Sequence, residues 1–134
     1  MKEKLLYKNL SYQVQGAFFK VYKILGCSFK ESVYQKALLE EFCLLGLKSE
    51  TQKRINIYYN DKKVGTYIPD IVVEDCIIIE LKAKPQIVKK DKEQFWQYLK
   101  GSKYKVGYLI NFGTQGGVDM MRWVYDTARN KNLS

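Results

Sequence analysis

Pro69-Asp70-Ile71-Val72-Val73-Glu74-Asp75-Cys76-Ile77-Ile78-Ile79-Glu80-Leu81-Lys82 is the stretch around which this chain is organised. It lies within two apolar runs of strand type, Val64 to Val73 and Cys76 to Leu81, with Glu74-Asp75 between them as a tight turn. Three consecutive isoleucines, Ile77 to Ile79, read as a strand buried on both faces. Asp70 falls near the end of the first run, and Glu80 and Lys82 close the second. Positions i and i+2 of a strand point the same way, so Glu80 and Lys82 share a face, roughly 6–7 Å apart. A carboxylate and an ammonium at the end of such a strand are costly to desolvate unless they pair or bind something.

A hairpin over this stretch brings Asp70 beside Glu80, and two converging carboxylates repel. A hard divalent cation removes that conflict, because Mg²⁺ takes oxygen ligands, often one or two carboxylates together with substrate phosphate. Lys82 beside them can orient or deprotonate a metal-bound water. The set suits metal-assisted hydrolysis of a phosphodiester. The same spacing also describes a plain hairpin with a Glu80–Lys82 surface salt bridge.

Pro69-Asp70, nine intervening residues and Glu80-Leu81-Lys82 resemble the PD-(D/E)xK nuclease signature. Upstream, Ser28-Phe29-Lys30-Glu31-Ser32-Val33-Tyr34 is similar to the motif of the GxxExxY family, a small group in that superfamily. Glu31 and Tyr34 match, while Ser28 stands where the motif has glycine. The resemblance implies that Glu31 joins the active site. Ser28-x-x-Glu31 is equally a capping box, in which Glu31 reaches back to its own helix start. Gln94 and Tyr98, four apart on one helix face, look like the Q-x-x-x-Y motif of RecB-like nucleases. That likeness implies a helix beside the active-site strand that orders substrate or catalytic groups. The stretches at 78–82 and 109–113 also resemble the GxxExxY family.

Around this centre the periodicity predicts two amphipathic helices, about 4–25 and 29–45, stopped by Gly26 and Gly46. In the second, Val33, Ala37, Leu38, Phe42 and Leu45 are expected to face inward. Thr51 to Tyr59 alternates as a strand, followed by a turn at Asn60-Asp61-Lys62-Lys63. Past Lys82 come a helix at about 88–100, a strand at about 105–111 and a final helix at about 117–129. Strand, helix and strand from Cys76 onward form a βαβ unit with parallel strands and a right-handed crossover. The expected fold is α/β, a mixed four-stranded sheet flanked by helices in the order α-α-β-β-β-α-β-α. This order resembles the PD-(D/E)xK nuclease core.

The 134 residues fit a single domain, 1–134, and at 46% hydrophobic they can build a core. No apolar run approaches the ~20 residues that span a bilayer. No signal peptide is expected, and the three cysteines, Cys27, Cys43 and Cys76, fit reduced thiols in a cytoplasmic protein. The absence of histidine excludes His-based general bases, His–Asp triads and His-containing zinc sites. The net charge of +9 is uneven. Residues 1–30 carry six lysines against one acid and residues 82–105 eight lysines against two, while residues 31–81 are net acidic. A polyanion drawn to the flanks would meet a metal at the centre.

Three function classes follow. The first is a Mg²⁺- or Mn²⁺-dependent nuclease, with DNA placed ahead of RNA. In it Asp70, Glu80, the Leu81 backbone carbonyl and Glu31 bind metal, and Lys82 positions or activates water. Gln94, Tyr98 and Tyr34 order the site, and lysines including Lys84 hold the nucleic-acid backbone. The second is a non-catalytic nucleic-acid- or partner-binding module with a nuclease fold. The third is a structural protein. No membrane partner is expected, and the oligomeric state, a homodimer included, is left open.

Overall fold

The computed structural model describes residues 7–125. Helix α1 is Lys8–Leu25 and buries Val14, Ala17, Phe18 and Val21, the stripe that the three- and four-residue spacing predicts. Residues 4–6 of the expected helix lie outside the described residues. Gly26, at φ 74°, ends α1 with its N–H on the Tyr22 carbonyl. Helix α2 is Glu31–Leu44, and its buried residues are Tyr34, Leu38 and Phe42. Leu38 and Phe42 face inward as expected, and the rest of the expected face differs. Val33 and Ala37 are half-buried and Leu45 is exposed, because Tyr34 takes the centre of the stripe and stacks on Phe112 with ring centroids 4.5 Å apart.

Seven strands follow the two helices: β1 (Ser49–Glu50), β2 (Ile55–Tyr59), β3 (Lys62–Tyr67), β4 (Ile71–Val73), β5 (Ile77–Lys82), β6 (Val106–Asn111) and β7 (Asp119–Val124). Helix α3, Lys89–Gly101, joins β5 to β6. Five strands make one sheet in the order β1-β4-β5-β6-β7, while β2 and β3 pair apart as a hairpin. β5 and β6 are parallel, as the βαβ reading requires, and the other pairs of the sheet are antiparallel.

The structure corrects the expected meander in three places. The run from Val64 to Val73 is two strands, because the chain breaks at Ile68–Asp70 around Pro69, which has no N–H for a ladder. The strand expected from Thr51 begins only at Ile55, after Gln52 adopts φ 62°. The sheet's edge next to β4 is therefore the two-residue β1, not the strand that ends at Tyr59.

The fourth correction concerns the final helix. Residues 119–124 of the expected 117–129 are strand β7, and residues 126–129 lie outside the described residues. Val118 and Met120 join the cluster under α1 and α2, whereas Met121, Trp123 and Tyr125 join the cluster under α3. A segment apolar on both faces carries no period that separates strand from helix. Pairing with the fully buried β6 decides it.

The sheet thus has a core on each face. Ile77, Ile79 and Leu81 point to α1 and α2, and Ile78 points with Val72, Leu109 and Phe95 to α3. The period-two alternation that places Ile78 on the α3 side also places Glu80 and Lys82 there.

Candidate active site

Register builds the centre of the site. β4 begins at Ile71, opposite Ile79, so β5 runs on past the start of its neighbour. Leu81 then has no strand partner on that side, and its N–H donates to Asp70 Oδ2 at 2.7 Å. In an extended strand the N–H and C=O of one residue point to the same side, so the Leu81 carbonyl faces the same gap. The Asp70 carbonyl accepts from Gln35 Nε2 of α2 at 2.8 Å, which fixes the turn after Pro69.

Glu80 faces the β2–β3 hairpin and α3. Tyr67, the last residue of β3, donates its hydroxyl to Glu80 Oε1 at 3.0 Å. Tyr67 in turn stacks flat on Tyr98 of α3, centroids 4.0 Å apart and planes 3° from parallel. Tyr98 therefore reaches the site through Tyr67. Glu80, Lys82, Asp91, Gln94, Phe95 and Tyr98 line one small pocket over the end of β5. Lys82 Nζ stands 3.9 Å from Asp91 Oδ1, and Lys84 Nζ binds Asp91 Oδ2 at 2.7 Å. Asp91 also accepts the Val88 N–H at 3.0 Å, which caps the start of α3.

Glu31 is the first residue of α2. The N-cap is Lys30, with no side-chain cap, so the Ser28–Glu31 capping box is not formed. Its carboxylate lies within electrostatic range of Asp70, Lys82 and Lys84. Tyr34 is fully buried, and its hydroxyl donates to the Gly26 carbonyl at 2.5 Å and accepts from the Phe29 N–H at 3.2 Å. It holds the α1–α2 turn that delivers Glu31, and it does not face the pocket. The Lys84 backbone is clamped by the buried Asn111 side chain, which accepts its N–H at 3.1 Å and donates to its carbonyl at 2.8 Å.

The electrostatics mark excess buried negative charge. Burial first, then the Asp70 carboxylate, pushes Glu80 up to about 7, against the Tyr67 hydroxyl and Lys82. Burial also raises Asp70, against the Leu81 N–H and Lys82. Glu31 is raised by burial and by Asp70. Asp91 is held low, by the Lys84 ammonium first and the Val88 N–H next.

Among the described residues, no three His, Cys, Asp or Glu side chains form a group that could hold a metal ion. Two adjacent carboxylates and a backbone carbonyl are nonetheless the all-oxygen donor set that a hard cation takes when water and phosphate complete its shell. Carboxylates that resist ionisation beside one another are relieved by a positive charge placed between them. The residues fit such an ion.

The sequence matches the PD-(D/E)XK nuclease superfamily over residues 8–123. The chain belongs to this superfamily. The match spans every element that builds the site, from α1 through β7. Among curated proteins and among solved structures, nothing matches. At the level of the superfamily, a nuclease-type function on nucleic acid and a divalent metal follow. The fold agrees, with three helices around a mostly antiparallel mixed sheet. No helix among the described residues is long and apolar enough to cross a membrane.

Sequence reasoning missed four residues of the site: Gln35, Tyr67, Asp91 and Asn111. Two carried a signal. Gln35 is four residues after Glu31, hence on its helix face. Asp91 is an acid in the first turn of a predicted helix, where caps are made. Tyr67 and Asn111 carried none, since their partners are brought by the fold alone. A larger cleft, of about 550 Å³, lies on α1 and α2 between Tyr12, Phe19 and Leu45. It is apolar and holds none of this chemistry.

Proposed function

We propose that this protein is a Mg²⁺- or Mn²⁺-dependent nuclease that hydrolyses phosphodiester bonds, in DNA ahead of RNA, and that it is a member of the GxxExxY group. The observation that carries the reading is Asp70 bound to the Leu81 N–H beside a half-buried Glu80 whose ionisation is suppressed. A bound divalent cation supplies Lewis acidity and a stabilised nucleophile at neutral pH.

Asp70 and Glu80 hold that cation through their carboxylates, and the Leu81 carbonyl faces the same gap. Glu31 contributes from α2, directly or through water. Lys82, whose Nζ stands 3.9 Å from the Asp91 carboxylate, orients or activates the attacking water and steadies charge developing on the phosphate. Asp91 positions both Lys82 and Lys84. Gln94 lines the pocket as a substrate-ordering group, and Tyr98 acts by fixing Tyr67 against Glu80. Lys84 contributes positive charge for the backbone.

A second reading is a binding module without turnover. It is favoured by Ser28, which stands where the family motif has glycine.

Cleavage of labelled single- and double-stranded DNA and RNA in Mg²⁺, Mn²⁺ or EDTA separates the two. The nuclease reading expects cutting with metal only, reduced by on the order of 10²-fold or more in Asp70→Ala and in Lys82→Ala. Folded variants that both keep metal-dependent cutting would sink the site assignment. Binding that persists in EDTA with no product under any metal would favour the module. Asp91→Asn should lower kcat by up to about 100-fold, with KM little changed, as Lys82 loses its tether.

A further inference from the structure

A further cleft, of about 310 Å³, opens between β2 and the turn that joins α3 to β6. Its lining is dominated by Lys53, Arg54, Asn56, Tyr58, Lys103 and Tyr104. Asp75 organises it. Glu74 and Asp75 both have positive φ, 53° and 50°, and this tight turn aims Asp75 at the cleft. Asp75 accepts the Tyr104 hydroxyl and pairs with Lys53 at 3.2 Å and Lys103 at 3.4 Å. These donors, Tyr104 first, hold the Asp75 carboxyl down at about 2. Lys53 also pairs with Glu50 at 3.5 Å. Each ammonium has three N–H groups, so both lysines keep a donor for another anion. Arg54 is exposed and makes no ion pair or hydrogen bond through its side chain among the described residues. Tyr58 is 58% exposed, a large aromatic left in solvent on the hairpin.

We propose that this cleft is a second nucleic-acid subsite that takes one unstacked nucleotide of a single strand, its phosphate on Arg54, Lys53 and Lys103 and its base on Tyr58. Cations complement phosphate, and an aromatic face offers stacking to a base that a duplex keeps inside its own stack. The volume is at the small end of ligand pockets, ~300–1,000 Å³, and suits one nucleotide rather than a helix.

The cleft is also well placed. Asp75 precedes β5 and Glu80 stands near its other end, so at the rise of a strand the two sites are on the order of 16 Å apart. The β2–β3 hairpin connects them, with Ile55 in the cleft wall and its register partner Tyr67 on Glu80. A strand held in the cleft would reach the carboxylates a few nucleotides away. The inference rests on the nuclease reading only for the polymer's identity.

The test is fluorescence anisotropy in EDTA with a short labelled oligothymidylate, the matching oligouridylate and a duplex of equal length. Wild type should bind both single strands. Arg54→Glu and Tyr58→Ala should each weaken single-strand binding by about tenfold, Tyr58→Phe should bind like wild type, and the duplex should bind more weakly and be unmoved. Unchanged affinity in both weakening variants overturns the subsite, as does a wild type that does not bind single strands. Equal losses on duplex and single strand overturn the single-strand assignment. Because EDTA removes turnover, the two proposals fail separately. Cutting without any variant effect on binding removes this subsite alone, and variant-sensitive binding without cutting removes the nuclease alone. Both substituted side chains are exposed, and thermal melting confirms that the variants fold.

Discussion

Glu80 shows how one residue can be unfavourable for the fold and useful to the site. Its carboxyl is pushed up to about 7 by burial and by Asp70, from an ordinary value of 4.5. Between those two values the folded state binds more protons than the unfolded one, so stability falls as pH rises through that window. The cost is fully present above the folded value and absent below about 4.5. It amounts to roughly 3 kcal/mol for Glu80 alone at ~1.4 kcal/mol per unit. Glu80→Gln keeps an oxygen for the Tyr67 hydroxyl and has no charge to lose. Metal-free wild type should lose stability in denaturant melts from pH 5 to pH 8, and Glu80→Gln should show a visibly flatter profile. Parallel profiles would mean that Glu80 ionises freely in the fold.

Elements meet at the site because of their lengths and ends. β4 is three residues long, and its late start leaves the Leu81 N–H for Asp70. Asp91 lies in the first turn of α3, which is how a helix terminus comes to hold the two lysines. The loop after β6 is seated by Gly113, whose N–H bonds to Asn111 Oδ1 at 3.0 Å. A Cβ at Gly113 would stand 2.3 Å from the Lys84 carbonyl oxygen and 2.4 Å from its nitrogen, both rigid backbone. Gly113→Ala must therefore push the β5–α3 connection away from β6. The expected loss is about 1–3 kcal/mol in chemical denaturation, with Lys84 displaced and activity reduced further than stability explains. Gly116→Ala, where a Cβ meets nothing within 4 Å, is the control for the loop itself and tests only its φ of 85°.

Across the whole molecule, charge and aromatic groups converge on one strand. β5 carries Glu80 and Lys82 near one end and follows Asp75 at the other, so the candidate centre and the basic cleft share one support, paired with β6 along its whole length. With a net charge of +9, attraction for a polyanion should dominate binding. Affinity for a single strand in EDTA should fall linearly on a log–log plot against salt, by ~0.7 per phosphate engaged. Arg54→Ala should make that slope shallower by about one such contact. A salt-independent affinity would show that the lysines and Arg54 do not meet phosphate.

The sequence by itself determined the centre of this protein. Alternation and the Glu74-Asp75 turn placed Asp70 opposite Glu80, and the βαβ spacing set β5 and β6 parallel, because these features depend on neighbours within a few residues or on one crossover. Helix periods found α1 and α2, and the family motif marked Glu31. Only the tertiary structure decided the rest. A segment apolar on both faces became β7 because β6 offered it an edge, and the run before Asp70 split at Pro69 because the hairpin pairs with itself rather than with the sheet. The Ser28–Glu31 capping box is not formed, and Lys30 stands at the N-cap of α2 instead. Tyr67 on Glu80, Asn111 on Lys84 and the basic cleft around Asp75 join residues 13 to 29 positions apart. No local pattern encodes such partners, since each becomes available only when distant elements are packed together.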